Sequence, residues 1–100
     1  MNYEYFSLVF KALSDENRLK IIDILSGGSL CACKILEQFD FTQPALSQHM
    51  KVLIDCGLIR GERVGNWMHY SLAAEKYDEI IRFVKYITED KNIKKDLINE

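Results

Sequence analysis

The chain has no apolar run approaching the roughly 18 residues that a membrane-spanning helix requires, so no transmembrane segment is expected. Its polar, aromatic start, "MNYEYFSL", does not have the layout of a secretory signal. Repeats, low-complexity tracts and linkers are missing too, and 100 residues make one domain, residues 1–100. There is no basic excess: the net charge is -2, which argues against non-specific coating of nucleic acid but leaves room for a localised DNA face. No Ser/His/Asp, paired-carboxylate or phosphate-loop pattern appears, so enzyme chemistry is not expected. Cysteine is scarce and odd in number, at three. With nothing to place the chain in an oxidising compartment, free thiols in the cytoplasm are expected, for metal binding, redox sensing or packing.

What is abundant is apolar surface. The hydrophobic content is 48%, more than so short a chain can hide alone, and the surplus predicts a dimer. Phe6, Phe10 and Leu13 follow a helical period, while Tyr3, Tyr5, Leu8 and Val9 make other faces of that helix apolar. Ser14 is the expected cap of a second helix, which Asp15 and Glu16 favour through its dipole and which Leu19, Ile22 and Leu25 continue to Gly27-Gly28. A short helix is expected over Cys33 to Gln38, burying Ile35, Leu36 and Phe39. In "FDFTQPAL", Thr42 can cap the next helix with Pro44 in its first turn, where a missing N–H does no harm. Leu46, Met50 and Leu53 form its inward stripe, and Gly57 closes it. The period then changes: "LIRGERV" and "WMHYSL" flank Gly65-Asn66, a two-residue hairpin turn. From Ala73 onward Tyr77, Ile80, Ile81, Val84 and Ile87 mark a long helix, before a charged tail, "EDKNIKKDLINE", that is expected to fray.

A short helix, a tight turn, a second helix with a polar outer face and a β-hairpin make a winged helix-turn-helix. The fold class is therefore mainly α with a small β-hairpin, and the helices at both ends form the dimer interface. The second helix of the pair must enter a major groove about 12 Å wide and present hydrogen-bonding side chains to base edges. Gln43 and Gln48 both donate and accept, and Ser47 is small enough for close approach. Lys51, Arg60 and Arg63 can neutralise phosphates, and the segment 59–72 is net positive. His49 adjoins this face and fits a phosphate contact or a structural hydrogen bond. His69 lies on the wing beside Tyr70, suited to packing or a local hydrogen bond. Singly, exposed Gln, Ser and Lys merely solvate a helix. Together with the turn chemistry and the hairpin they read as a DNA face.

"SLCACKIL" places Cys31 and Cys33 one residue apart. An α-helix turns about 100° per residue, so these side chains would point roughly 200° apart on one. A regular helix cannot aim both thiols at one ion; an extended segment or a frayed helix start can. The pair is either two small apolar residues or a site built on local distortion.

Three stretches carry a resemblance: "LSDENRLKII", "TQPALSQHMKVL" and "GNWMHYSL". They resemble the second helix, recognition helix and wing of the ArsR/SmtB family of metal-sensing winged-helix repressors, over about residues 8 to 72. The resemblance implies a cytoplasmic, homodimeric repressor that binds an inverted-repeat operator in double-stranded DNA, with no constitutive cofactor, and leaves it when an inducer binds. Zinc, nickel and cobalt sensors of this kind use ligands on the last helix, yet residues 73 to 100 contain no histidine. Cadmium and lead sensors add an N-terminal cysteine, and residues 1 to 30 contain none. Arsenic and antimony sensors of one branch carry a Cys-x-Cys pair at the start of the third helix. That branch implies As(III) or Sb(III) as inducer, with Cys31 and Cys33 as ligands.

Trivalent arsenic is soft and prefers a pyramid of thiolates, and the helix start and Lys34 favour the thiolate form. The sequence departs from the branch at Ser29, Lys34 and Leu36, the last standing where the branch can have a third cysteine. The third ligand is then Cys56, a small-molecule thiol or solvent; Cys56, just before Gly57, otherwise packs against the hairpin base. Two alternatives stand beside this reading. One is a thiol redox or persulfide sensor of the same fold, although an i,i+2 disulfide closes a small ring. The other is a protein-interaction module without DNA binding, against which the Gln- and Ser-rich outer face speaks.

Overall fold

A computed structural model describes residues 2–89; beyond Glu89, the charged tail expected to fray lies outside them. Helix α1 (Tyr3–Leu13) starts where Asn2 Oδ1 accepts the Tyr5 N–H at 3.0 Å, satisfying one of the donors a helix start leaves open. Val9 and Ala12 face the core, and Phe6 stacks on Phe83 near the chain's end with ring centroids 4.2 Å apart.

Helix α2 (Glu16–Leu25) is capped by Asp15, where Ser14 was expected. Asp15 Oδ1 accepts from the N–H groups of Asn17 and Arg18 at 2.8 and 3.1 Å, and the bond from Arg18, the larger influence, holds its carboxyl below the usual range. Ser14 instead closes α1, its hydroxyl donating to the Lys11 carbonyl at 2.7 Å. The buried stripe of α2 is Ile21 and Leu25, while Leu19, expected to face inward, is 50% exposed. The shift has a physical reason. Arg18 takes the inward position one turn before Ile21, folding its Nε onto the Ala12 carbonyl at 2.6 Å.

Two features near the cysteines differ from expectation. Leu30–Cys31 forms a short strand, β1, and the third helix runs Ala32–Leu36 (α3), one residue earlier than its period suggests. Ile35 is its buried residue; Leu36 and Phe39 are half-buried. Helix α4 (Gln43–Asp55) follows as expected, with Thr42 Oγ1 accepting the Ala45 N–H at 3.3 Å. Leu46, Met50 and Leu53 are its buried stripe. Gly57, at φ +80°, supplies the left-handed turn that ends the segment.

Strands β2 (Ile59–Val64) and β3 (Trp67–Leu72) form the hairpin, with Gly65 at φ +62° in its turn. The sheet has three antiparallel strands in the order β1-β3-β2, with Leu30 opposite Tyr70 and Cys31 opposite His69. The fold is thus a winged helix-turn-helix, mainly α with a small antiparallel sheet.

Helix α5 (Ala74–Thr88) closes the described chain and buries none of its own residues. One bond to its neighbours comes from Tyr77, whose hydroxyl donates to the Leu58 carbonyl at 2.9 Å. Burial disfavours the phenolate and pushes the Tyr77 hydroxyl up to about 12. A raised pKa means the neutral phenol stabilises the fold below about pH 10, and that this contribution is lost as the pH rises towards 12. Tyr77→Phe is expected to lower stability by about 1 kcal/mol at neutral pH, measured by urea unfolding. In a spectrophotometric titration the variant should lose the last-ionising of the tyrosines.

Candidate nucleic-acid interface and thiol pair

Helix α4 turns Leu46, Met50 and Leu53 into the core, and the same 3.6-residue period leaves Gln43, Ser47, Gln48 and Lys51 exposed on the outer side. The structure therefore brings these four together on one surface. Lys51 is paired along the helix with Asp55, Nζ to Oδ2 at 3.0 Å, an exposed bond of little strength. The wing arginines differ from each other. Arg60 pairs with Glu75 at the start of α5, which directs its guanidinium back onto the protein. Arg63 has no ion pair among the described residues and lines an open cleft of about 320 Å³ with Gln43 and Ser47. Of the two, Arg63 is the one free to meet a phosphate.

His49, placed on the DNA face by sequence, is half-buried and turned elsewhere. Its Nδ1 lies 3.2 Å from Arg18 Nη1, and its ring centroid lies 5.5 Å from that of Phe41. A guanidinium can only donate, so Nδ1 must accept and the ring proton sits on Nε2. The residue serves as the structural hydrogen bond that its position also allowed. Arg18 thereby joins the end of α1, the start of α2 and the middle of α4. No sequence signal marked it, because an arginine on an inward stripe looks like a surface residue.

The two sulfurs are adjacent, joined as a disulfide, with Cα atoms 5.4 Å apart. Convergence is possible because the pair straddles a junction. Cys31 ends β1 in extended backbone, φ -73° and ψ 155°, and caps α3, while Cys33 is helical. The roughly 200° divergence applies only if both residues are helical. Lys34 points along α3 to Glu37, at 3.9 Å and exposed. Cys33 lines the same 320 Å³ cleft as Gln43, Ser47, Arg63 and the chain's single tryptophan, Trp67.

Cys56 is not brought to the pair. It ends α4 beside Leu8, Ala12, Arg18 and Val52, with its thiol donating to the Leu53 carbonyl at 3.5 Å. Burial pushes the Cys56 thiol up, away from the ligating thiolate. Among the described residues no three His, Cys, Asp or Glu side chains form an ion-holding group. Within this chain Cys56 is thus set apart from the pair, packed beside Leu8, Ala12 and Val52.

Comparison with known proteins agrees with this architecture. Residues 15–60 match the model of a family described as "Bacterial regulatory protein, arsR family". An arsenical resistance operon repressor of Staphylococcus aureus is 46% identical over 87% of this chain and 84% of its own length. An ArsR-like transcriptional regulator from a Rhodococcus species superposes with a TM-score of 0.81 at 25% identity, over 96% of this chain and 91% of that one. A homodimeric winged helix-turn-helix DNA-binding domain from Mycobacterium bovis superposes at 0.70 with 24% identity, over 86% and 80% of the two chains.

Proposed function

Since this chain belongs to the arsR family of bacterial regulatory proteins, whose members are transcriptional regulators and not enzymes, we propose that it is a cytoplasmic repressor that binds operator DNA as a homodimer and is released by As(III) or Sb(III) at Cys31 and Cys33. One observation carries the reading: Cys33 shares a cleft with Gln43, Ser47 and Arg63, so the thiol helix abuts both the outer face of α4 and the wing. The relative from Staphylococcus aureus, an arsenical resistance operon repressor, supports the inducer class.

The thiols fit such a ligand. A soft trivalent ion needs two convergent sulfurs, and the strand-to-helix junction supplies them without unwinding α3. The binding form is the dithiol, reached when two equivalents of a small thiol reduce the Cys31–Cys33 bond and leave as their own disulfide. An ion held between the two sulfurs ties Cys31, whose strand pairs with the wing, to Cys33 on α3. Any shift of α3 then moves one wall of the cleft against Gln43 and Ser47. Release follows if the ion binds the DNA-incompetent arrangement better, and tenfold weakening needs only about 1.4 kcal/mol of such preference.

Dimerisation gives the DNA face its geometry. Tyr3, Leu8, Ile81 and Ile87 are 65, 56, 57 and 50% exposed on α1 and α5, a surface that a second copy would cover. Two α4 helices then meet successive major grooves, roughly 34–36 Å apart, on an inverted repeat. The disulfide favours a second reading, thiol redox sensing, in which peroxide takes two electrons and two protons from the dithiol and leaves as two waters.

Titrating operator-bound, reduced protein with arsenite and, separately, with peroxide tests both. Arsenite should dissociate the wild type, fail on Cys31→Ser and Cys33→Ser, and act almost normally on Cys56→Ser. Release by arsenite from a Cys31→Ser, Cys33→Ser double variant would put the sensor elsewhere, and release by peroxide alone would favour the redox reading. Gln48→Ala should lose about 1–3 kcal/mol of discrimination between operator and other duplexes. Arg63→Ala should weaken all duplexes alike and flatten the salt dependence. Sedimentation of the free protein at micromolar concentration should give the mass of a dimer; a monomer would remove the two-fold operator geometry.

A further inference from the structure

We infer that His69 is a specificity-determining residue of the thiol site, accepting a hydrogen bond from the hydroxide that a dithiol-bound arsenic retains. The inference rests on the reading of Cys31 and Cys33 as the inducer's ligands.

The sheet register carries it. Cys31 on β1, His69 on β3 and Glu62 on β2 are successive cross-strand partners, so they form one row across the three strands. Partners directly opposite in an antiparallel pair lie on the same face, with Cβ atoms about 4.5–5.5 Å apart. The neighbouring row, Leu30, Tyr70 and Gly61, lies on the other face, where Tyr70 is buried. His69 is half-buried, and its imidazole has no hydrogen bond, ion pair or ring contact among the described residues. It is a polar group without a partner of its own, opposite one sulfur of the Cys31–Cys33 pair.

The ligand supplies what the imidazole lacks. Arsenous acid exchanges two of its three hydroxides for the sulfurs of Cys31 and Cys33. Each thiol proton departs with a hydroxide as water, two As–S bonds replace two As–O bonds, and arsenic stays trivalent. One hydroxide is left, because no third cysteine, Cys56 included, stands at the pair. A neutral imidazole has one donor and one acceptor nitrogen. Glu62, its cross-strand partner on the other side, makes no bond to the ring, so a ring nitrogen is open to accept from the As–O–H group beside Cys31, a role of the kind that orients ligands at metal sites.

A ligand with no hydroxide to spare provides the contrast. Phenylarsine oxide forms the same two As–S bonds but keeps its As–C bond, so nothing remains for His69 to hold. The reduced protein, with a phosphine reductant present, would be titrated with arsenite and with phenylarsine oxide, following the fluorescence of Trp67. His69→Ala should weaken arsenite binding about tenfold and leave phenylarsine oxide within twofold of wild type, while His69→Gln, which keeps a hydrogen-bonding group, should recover most of the arsenite affinity. Equal loss for both ligands would make His69 merely structural and overturn the inference, as would no loss for either. If phenylarsine oxide still binds a Cys31→Ser, Cys33→Ser variant as tightly as wild type, the reading of the thiol pair itself fails, a result distinct from failure at His69. Circular dichroism of the two His69 variants confirms that the comparison is between folded proteins.

Discussion

The pairing of two residues, Leu30 and Cys31, with Tyr70 and His69 is the constraint on which this structure turns. It fixes Cys31 in extended backbone immediately before a helix of five residues, and so sets the direction in which that helix starts. It also makes the wing continuous with the segment that carries the thiols. Without it the hairpin would be a two-stranded ribbon, and such ribbons are marginal on their own in water. With it, sheet, thiol helix and recognition helix line one cleft.

A second constraint acts from the opposite side of α4. Arg18 reaches the Ala12 carbonyl and the His49 ring, so the angle of the recognition helix is set by hydrogen bonds from α2 as well as by apolar contacts. Its cationic fork suits such a role, since it has several donors and no acceptor. Gln43, Ser47 and Gln48 need no inward partners of their own for this placement. They remain exposed and hydrogen-bond competent, which is what reading base edges asks of them.

The recognition helix was legible in the sequence because every local rule agreed there. Thr42 caps it, Pro44 sits in its first turn, the stripe Leu46, Met50, Leu53 keeps one period and Gly57 ends it. The hairpin was legible for the same reason through Gly65-Asn66. The stripe of α2 was misread because Arg18 occupies an inward position, and a rule that counts only apolar residues then starts the period at Leu19. Strand β1 was not foreseen. Two residues are too few for an alternating pattern, and its existence depends on a partner strand some forty residues away in the chain. The convergence of the thiols was legible only as a condition, that one of them leave the helix, and tertiary pairing decides which. For the same reason His69 showed no relation to Cys31 in sequence, since register across a sheet is a long-range property.

Helix α5 contributes fifteen residues and buries none of them within the chain. Its apolar side, with Ile81, Val84 and Ile87 exposed, would be covered in the proposed dimer and gain free energy there. In a lone subunit that side would stay in water, with α5 tied to the rest of the chain by few contacts such as the Tyr77–Leu58 bond and the Phe6–Phe83 stack. Such a helix would exchange its amide hydrogens sooner than the core does, and pairing would slow that exchange in proportion to protein concentration.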